Sequence, residues 1–146
     1  MNPILDAALE AICRERGEGD SSDTFEAVEA LHQAYGEEDL ANRLFAEIPR
    51  TVPFEIVVEL FDILAWETRD NGAAMTRTME GWLREGKDNR KLLIALHLEV
   101  YPFINAQEMY AVLSKLEKTA IPRVRERCGE LIRLRRENEK RYGSEV

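Results

Sequence analysis

The sequence predicts an all-α protein. Apolar residues recur at helical spacing in every periodic segment, and no segment alternates apolar and polar residues for long. β-Branched residues, which strands favour, are sparse outside residues 52–58. The chain has 146 residues, 45% of them hydrophobic, which is enough for one domain with its own core. We therefore expect a single helical domain over residues 1–146, with frayed last residues.

Residues that begin or end helices divide the chain into eight helices. Asn2 caps the first helix, and Gly17 follows its end. Asp23, with Glu26 three residues later, has the capping-box pattern for the second helix, and Gly36 ends it. The predicted helices lie at about residues 3–16, 24–35, 38–48, 52–68, 73–85, 89–101, 106–118 and 120–141.

The later helices have similar signals. The turn at residues 70–72 precedes the fifth helix, and Gly86 ends it. Asp88 precedes the sixth helix, which we expect to continue until Pro102 stops it. Asn105 caps the seventh, and a proline stands in the first turns of both the fourth and the eighth.

The helix starts form a weak repeat. The third, fifth and seventh helices begin near residues 37, 71 and 105, a spacing of 34. Two helices per unit at this period indicate stacked helical hairpins. The layout resembles a short HEAT-like or tetratricopeptide-like solenoid over nearly the whole chain, and the absent tetratricopeptide signature favours the HEAT-like form. A compact orthogonal bundle of eight helices is the alternative.

The charge favours a protein partner. The formal net charge is −8, and the acidic residues concentrate towards the amino terminus. Such a surface disfavours nucleic acid and favours a partner with a basic surface. The last helix is basic, which would suit a phosphate contact, but its arginines alternate with glutamates at the spacing of helix ion pairs. We interpret that face as solvated.

No segment indicates a membrane or an oxidising compartment. No apolar run approaches the roughly 18 residues that a membrane span needs, and acidic residues interrupt the first apolar run. Two cysteines, Cys13 and Cys128, fall on predicted apolar helix faces. We expect both to be reduced core residues in a cytoplasmic protein.

No motif indicates catalysis. Glu29 and His32 have the spacing of half a di-iron site, but the second half is missing around His97. We interpret His97 as a core-edge residue bonded to a backbone carbonyl, and Trp82 as core. No phosphate-binding glycine loop or zinc motif is present. We therefore expect no catalytic residue, no metal, no cofactor and no enzymatic activity.

The fourth helix, within PFEIVVELFDILAWETR, is apolar on most sides. One interpretation is a core helix with a minimal solvent stripe and Trp66 tucked under the next loop. The other is a protein interface, in which acidic residues steer a basic partner and Trp66 is a desolvated anchor. The stripe falls within a wedge of about 80° and consists of Glu55, Glu59, Asp62, Trp66 and Arg69.

In a stacked-hairpin array, the fourth, sixth and eighth helices would line a concave face. The polar residues Asp88, Lys91 and Glu99 of the predicted sixth helix would then extend the partner-binding surface.

Small, acidic, motif-free helical chains are similar to bacterial immunity proteins. That resemblance implies a cognate toxin whose basic active-site cleft the acidic ridge occludes. A peptide-binding scaffold and a nucleic-acid-associated regulator that uses the basic last helix are the alternatives.

Overall fold

A computed structural model describes residues 2–142. Over that range the chain is all-helical, with eight helices and no strand, which confirms the predicted fold class. The predicted fraying of the last residues lies outside the described range. The helices are α1 (Pro3–Glu15), α2 (Ser22–Tyr35), α3 (Leu40–Glu47), α4 (Phe54–Glu67), α5 (Ala73–Glu85), α6 (Asn89–Leu96), α7 (Ala106–Thr119) and α8 (Pro122–Tyr142).

The chain divides into two compact units, Met1–Met79 and Glu80–Val146, with the boundary inside α5. The division separates charge as well. The first unit contains 6 basic and 17 acidic side chains, a formal charge of −11, and the second contains 14 and 11, a charge of +3. The acidic character of the protein therefore belongs to the first unit. The single domain and the HEAT-like arrangement stay predictions.

In the first unit, α1 and α2 pack on each other, and α4 packs against both. α4 buries residues on most of its circumference, as its apolar sequence predicts. Gly72 fixes the turn that follows α4. It has a φ of +79°, and a Cβ at this position would lie 2.7 Å from the Cβ of Ala65, so the close approach requires glycine.

The second unit is built on α8. α7 and α6 both pack against it, and the core contains Trp82, which is 4% exposed. The prediction that Trp82 is a core residue is confirmed. No helix within residues 2–142 has the length and apolarity that crossing a membrane requires.

The start of α2 differs from the prediction. The helix begins at Ser22, and Asp23 lies in its first turn rather than capping it. The buried carboxylate of Glu15, at the end of α1, caps α2 instead. Its Oε1 accepts hydrogen bonds from Thr24 N (2.7 Å) and Thr24 Oγ1 (2.6 Å). A residue from a neighbouring helix therefore replaces the local cap.

The end of α6 also differs. The helix ends at Leu96, five residues before the predicted Tyr101. Long-range contacts hold the following loop outside the helix: Phe103 N donates to Glu80 (2.7 Å), and Arg135 donates to the carbonyls of Phe103 (2.7 Å) and Ile104 (2.6 Å). Phe103 takes a φ of +65°, which is strained for a residue with a side chain.

The two cysteines have different environments. Cys128 is buried, as predicted, and burial raises the pKa of its thiol to about 12. Cys13 is exposed, so the prediction that it is a core residue is wrong. Cys13 lies at the edge of the buried face of α1, about 100° around the helix from the buried residue Ile12.

Candidate functional site

Trp66 is the largest exposed apolar side chain in the first unit, at 78% exposure. Of the two interpretations of Trp66, the one in which it is tucked under the next loop is wrong. The turn after α4 folds onto Ala65, through Gly72, and so covers the neighbouring face of the helix instead. The α4 ridge, which we define as Glu55, Glu59, Asp62 and Trp66, therefore combines an exposed indole with three half-buried carboxylates.

The middle of the α4 ridge is joined to the loop after α1. Arg16 Nε lies 2.7 Å from Glu59 Oε1, and both side chains are partly exposed, at 45% and 37%. An ion pair this exposed contributes little to stability. Glu59 is thus held by a guanidinium that solvent can also reach.

The far end of α4 is fixed by Glu37. Its two carboxylate oxygens accept hydrogen bonds from Arg69 N, each at 3.2 Å, and Oε2 lies 2.7 Å from His32 Nε2. The side chain of Arg69 itself is exposed. The backbone just beyond Trp66 is therefore anchored, and the indole projects from a fixed helix end.

A small cavity lies beside the α4 ridge. It has a volume of about 140 Å³ and is lined in part by Glu15, Arg16, Phe25, Glu59 and Ile63. Phe25 is 56% exposed. The sequence pattern did not indicate these α1 and α2 residues, because only the fold brings them to Glu59. The one local signal is Phe25, an aromatic residue in the polar first turn of α2.

The residues predicted to extend the surface belong to the second unit. Asp88 caps α6, with Oδ1 accepting hydrogen bonds from Arg90 N (2.9 Å) and Lys91 N (3.1 Å). Lys91 Nζ lies 5.4 Å from the centre of the Trp82 ring. Glu99 is exposed and lies in the loop after α6 rather than on that helix, because α6 ends at Leu96. Asp88 and Lys91 have structural roles here, and a partner-binding role for all three residues stays a prediction.

Several arginines of α8 bond to the fold itself. Arg127 Nε donates to Leu96 O (2.9 Å). Arg135 also lies over the Tyr101 ring, 5.3 Å from its centre, and Arg136 lies 4.8 Å from the centre of the Tyr110 ring. These contacts show that some of the arginines of α8 stabilise the fold. Fewer of its arginines are then available to bind a phosphate backbone.

The histidines have ordinary structural environments. His97 Nδ1 lies 2.7 Å from Leu93 O, as predicted for a core-edge histidine. Burial lowers the pKa of His97, so the ring is neutral at pH 7. His32 Nε2 lies 2.7 Å from Glu37 Oε2. Within residues 2–142 there is no cluster of three His, Cys, Asp or Glu side chains suited to a metal ion.

Comparison with known proteins gives no match. No protein-family model matches the chain, and neither the curated proteins nor the solved structures compared with it match significantly. The chemistry of this surface is therefore what indicates the function. What the surface offers is an aromatic side chain and carboxylates on a rigid helix, which are groups suited to binding.

Proposed function

We propose that the protein binds another protein, without catalysis, through the α4 ridge. The observation that carries this proposal is the 78% exposure of Trp66. Tryptophan is enriched at the centres of protein interfaces, where it fills a pocket on the partner and often accounts for much of the affinity. A single exposed apolar residue needs no explanation, but a tryptophan flanked by carboxylates on a fixed helix is the arrangement that an interface uses.

The charge of the first unit defines the partner. A formal charge of −11 on residues 1–79 favours a partner whose contact surface is basic. Long-range attraction between opposite charges raises the association rate, and a buried aromatic anchor mainly slows dissociation. The partner should therefore present an apolar pocket surrounded by lysine or arginine.

The more specific form of the proposal is an immunity protein that occludes the basic active-site cleft of a toxin. A cleft that binds a phosphate-containing substrate combines positive charge with concavity, which suits an acidic ridge with a projecting indole. This form predicts that a gene next to the one encoding this chain encodes a toxin domain. A genomic neighbourhood without such a gene would refute the toxin form of the proposal. It would not refute the more general proposal that the partner is a basic protein.

The test compares two exposed apolar residues. The product of the adjacent gene is co-expressed with the wild-type chain, with Trp66→Ala, or with Ile104→Ala as the matched control. Ile104 is fully exposed and lies in the second unit. We expect Trp66→Ala to weaken the complex by about 2 kcal/mol or more, roughly 30-fold, and Ile104→Ala to leave it unchanged. Equal binding by all three proteins would refute the ridge as the interface.

A further inference from the structure

The charged side chains that line the cavity beside the α4 ridge are mainly acidic. Four charged side chains line it, and three of them are acidic: Glu15, Glu18 and Glu59 oppose the single cation Arg16. Glu15 is 9% exposed, and the hydrogen bond from the Thr24 hydroxyl holds the pKa of its carboxyl below the ordinary value. Glu15 is therefore ionised at neutral pH, and its bonds come from neutral donors. The charged lining of the cavity is therefore net negative.

The size of the cavity limits what it can receive. Its volume of about 140 Å³ equals that of roughly five water molecules at about 30 Å³ each. Pockets for cofactors and drug-sized ligands start at about 300 Å³. The space therefore suits one long side chain rather than a free metabolite.

The walls match a flat cation. Phe25 and Ile63 supply apolar surface on two of the packed helices, and an aromatic face attracts a guanidinium that lies over it. The Glu59 carboxylate already binds a guanidinium, that of Arg16, at 2.7 Å. The Arg16–Glu59 pair thus shows that Glu59, at this cavity, binds a guanidinium group.

Arg16 can be replaced at low cost. Its pair with Glu59 is partly exposed on both sides, and such pairs contribute little net stability. A second guanidinium placed in the cavity would lie beside Phe25 and in the field of Glu15 as well as on Glu59. Exchange of one guanidinium for another also leaves no carboxylate unpaired.

We propose that this cavity receives an arginine side chain of the partner, whose guanidinium replaces Arg16 on Glu59 and lies against Phe25. The inference rests on the proposed function, because Glu59 belongs to both the ridge and the cavity. It adds a defined element to the partner: an arginine adjacent to the pocket that binds Trp66.

The test uses two peptides that differ in charge alone. The ¹⁵N-labelled full chain is titrated with acetyl-Gly-Arg-Gly-amide and with the same peptide carrying citrulline, its neutral isostere. We expect the arginine peptide to shift the amide signals of Gly17, Thr24 and Phe25, and the citrulline peptide to shift them at least about fivefold less. Equal shifts with both peptides, or shifts spread evenly over the acidic residues of the first unit, would overturn the inference.

Variants then separate the cavity from general acidity. Glu59→Gln should weaken the arginine peptide by about fivefold or more, whereas Glu29→Gln, on an exposed part of α2 outside the cavity, should leave it unchanged. Arg16→Gln should tighten binding by about threefold, because it removes the internal competitor. An unchanged affinity in Arg16→Gln and Glu59→Gln would contradict the exchange.

Trp66→Ala distinguishes this inference from the proposed function. That variant should retain peptide binding in the cavity while its affinity for the partner falls. If the peptide does not bind but Trp66→Ala still abolishes the complex, the cavity is excluded and the ridge remains. If the peptide binds and Trp66→Ala has no effect on the complex, Trp66 is excluded as the anchor and the arginine site at Glu59 remains.

Discussion

Replacing Trp66 by alanine should cost little stability, although tryptophan is the largest side chain. A buried aromatic side chain removes 150–250 Å² from water, and Trp66 is 78% exposed, so it buries roughly 50 Å². At about 25 cal/mol per Å² this burial is worth at most about 1.3 kcal/mol. Alanine's better helix propensity offsets up to about 0.5 kcal/mol of that loss. We therefore expect Trp66→Ala to lower the free energy of unfolding by less than about 1 kcal/mol.

Trp82 provides the matched control, because it is the other tryptophan of the chain and is only 4% exposed. Trp82→Ala should cost about 3–5 kcal/mol, the range for a buried aromatic truncated to alanine. Urea unfolding of both variants, followed by far-ultraviolet circular dichroism, measures the two values without relying on tryptophan fluorescence. A loss of 3 kcal/mol or more in Trp66→Ala would show that the indole is buried and would refute the reasoning.

Three further predictions concern the parts of the fold that support the two units. Arg135→Ala should remove the charged hydrogen bonds that hold the loop between α6 and α7, which should cost about 3 kcal/mol and accelerate amide exchange in that loop; unchanged exchange would contradict its anchoring role. The folded pKa of Glu15 lies below the ordinary value of 4.5, so its contribution to stability is present above pH 4.5 and lost as the pH falls through the folded pKa. Thr24→Val should reduce that acid sensitivity in unfolding measurements between pH 7 and pH 3, and an identical pH dependence would count against the assignment. In a thiol-reagent assay at pH 8, Cys13 should react in the folded protein, and Cys128, with its pKa of about 12, only after unfolding; rapid reaction of both would contradict the burial of Cys128.

The helix ends show where local sequence is sufficient. α5 begins and ends where the sequence predicts, at Ala73 and Glu85. Its flanking residues Gly72 and Gly86 both adopt a positive φ, of 79° and 64°. This conformation favours glycine, so a glycine in the local sequence indicates the helix boundary. The information needed for these boundaries therefore lies within a few residues of each.

The end of α6 required information from distant residues. The residues after Leu96 keep a helix-compatible pattern until Pro102, so the prediction extended the helix through them. Arg127 Nε donates to the carbonyl of Leu96 from 31 residues away, and Arg135 lies over the Tyr101 ring. Such tertiary contacts override local propensity. The same limit applies to α2, where Glu15 replaces the expected cap by Asp23.

The candidate site also depends partly on local sequence and partly on long-range contacts. Helical periodicity identified the α4 ridge, because burial on the other sides of α4 follows from its apolar residues. The exposure of Trp66 depends on where the turn at Gly72 packs, and the cavity depends on the loop after α1 reaching Glu59. Neither arrangement is encoded in a local pattern.

The affinity of the Trp66→Ala variant for the basic partner is the most direct test of the proposed function. Isothermal titration of the purified adjacent-gene product with the wild-type chain and with Trp66→Ala gives the two dissociation constants. The α4 ridge as an interface predicts a ratio of roughly 30 or more, corresponding to about 2 kcal/mol, with the variant fully folded. A folded Trp66→Ala variant that binds with the wild-type dissociation constant would contradict it.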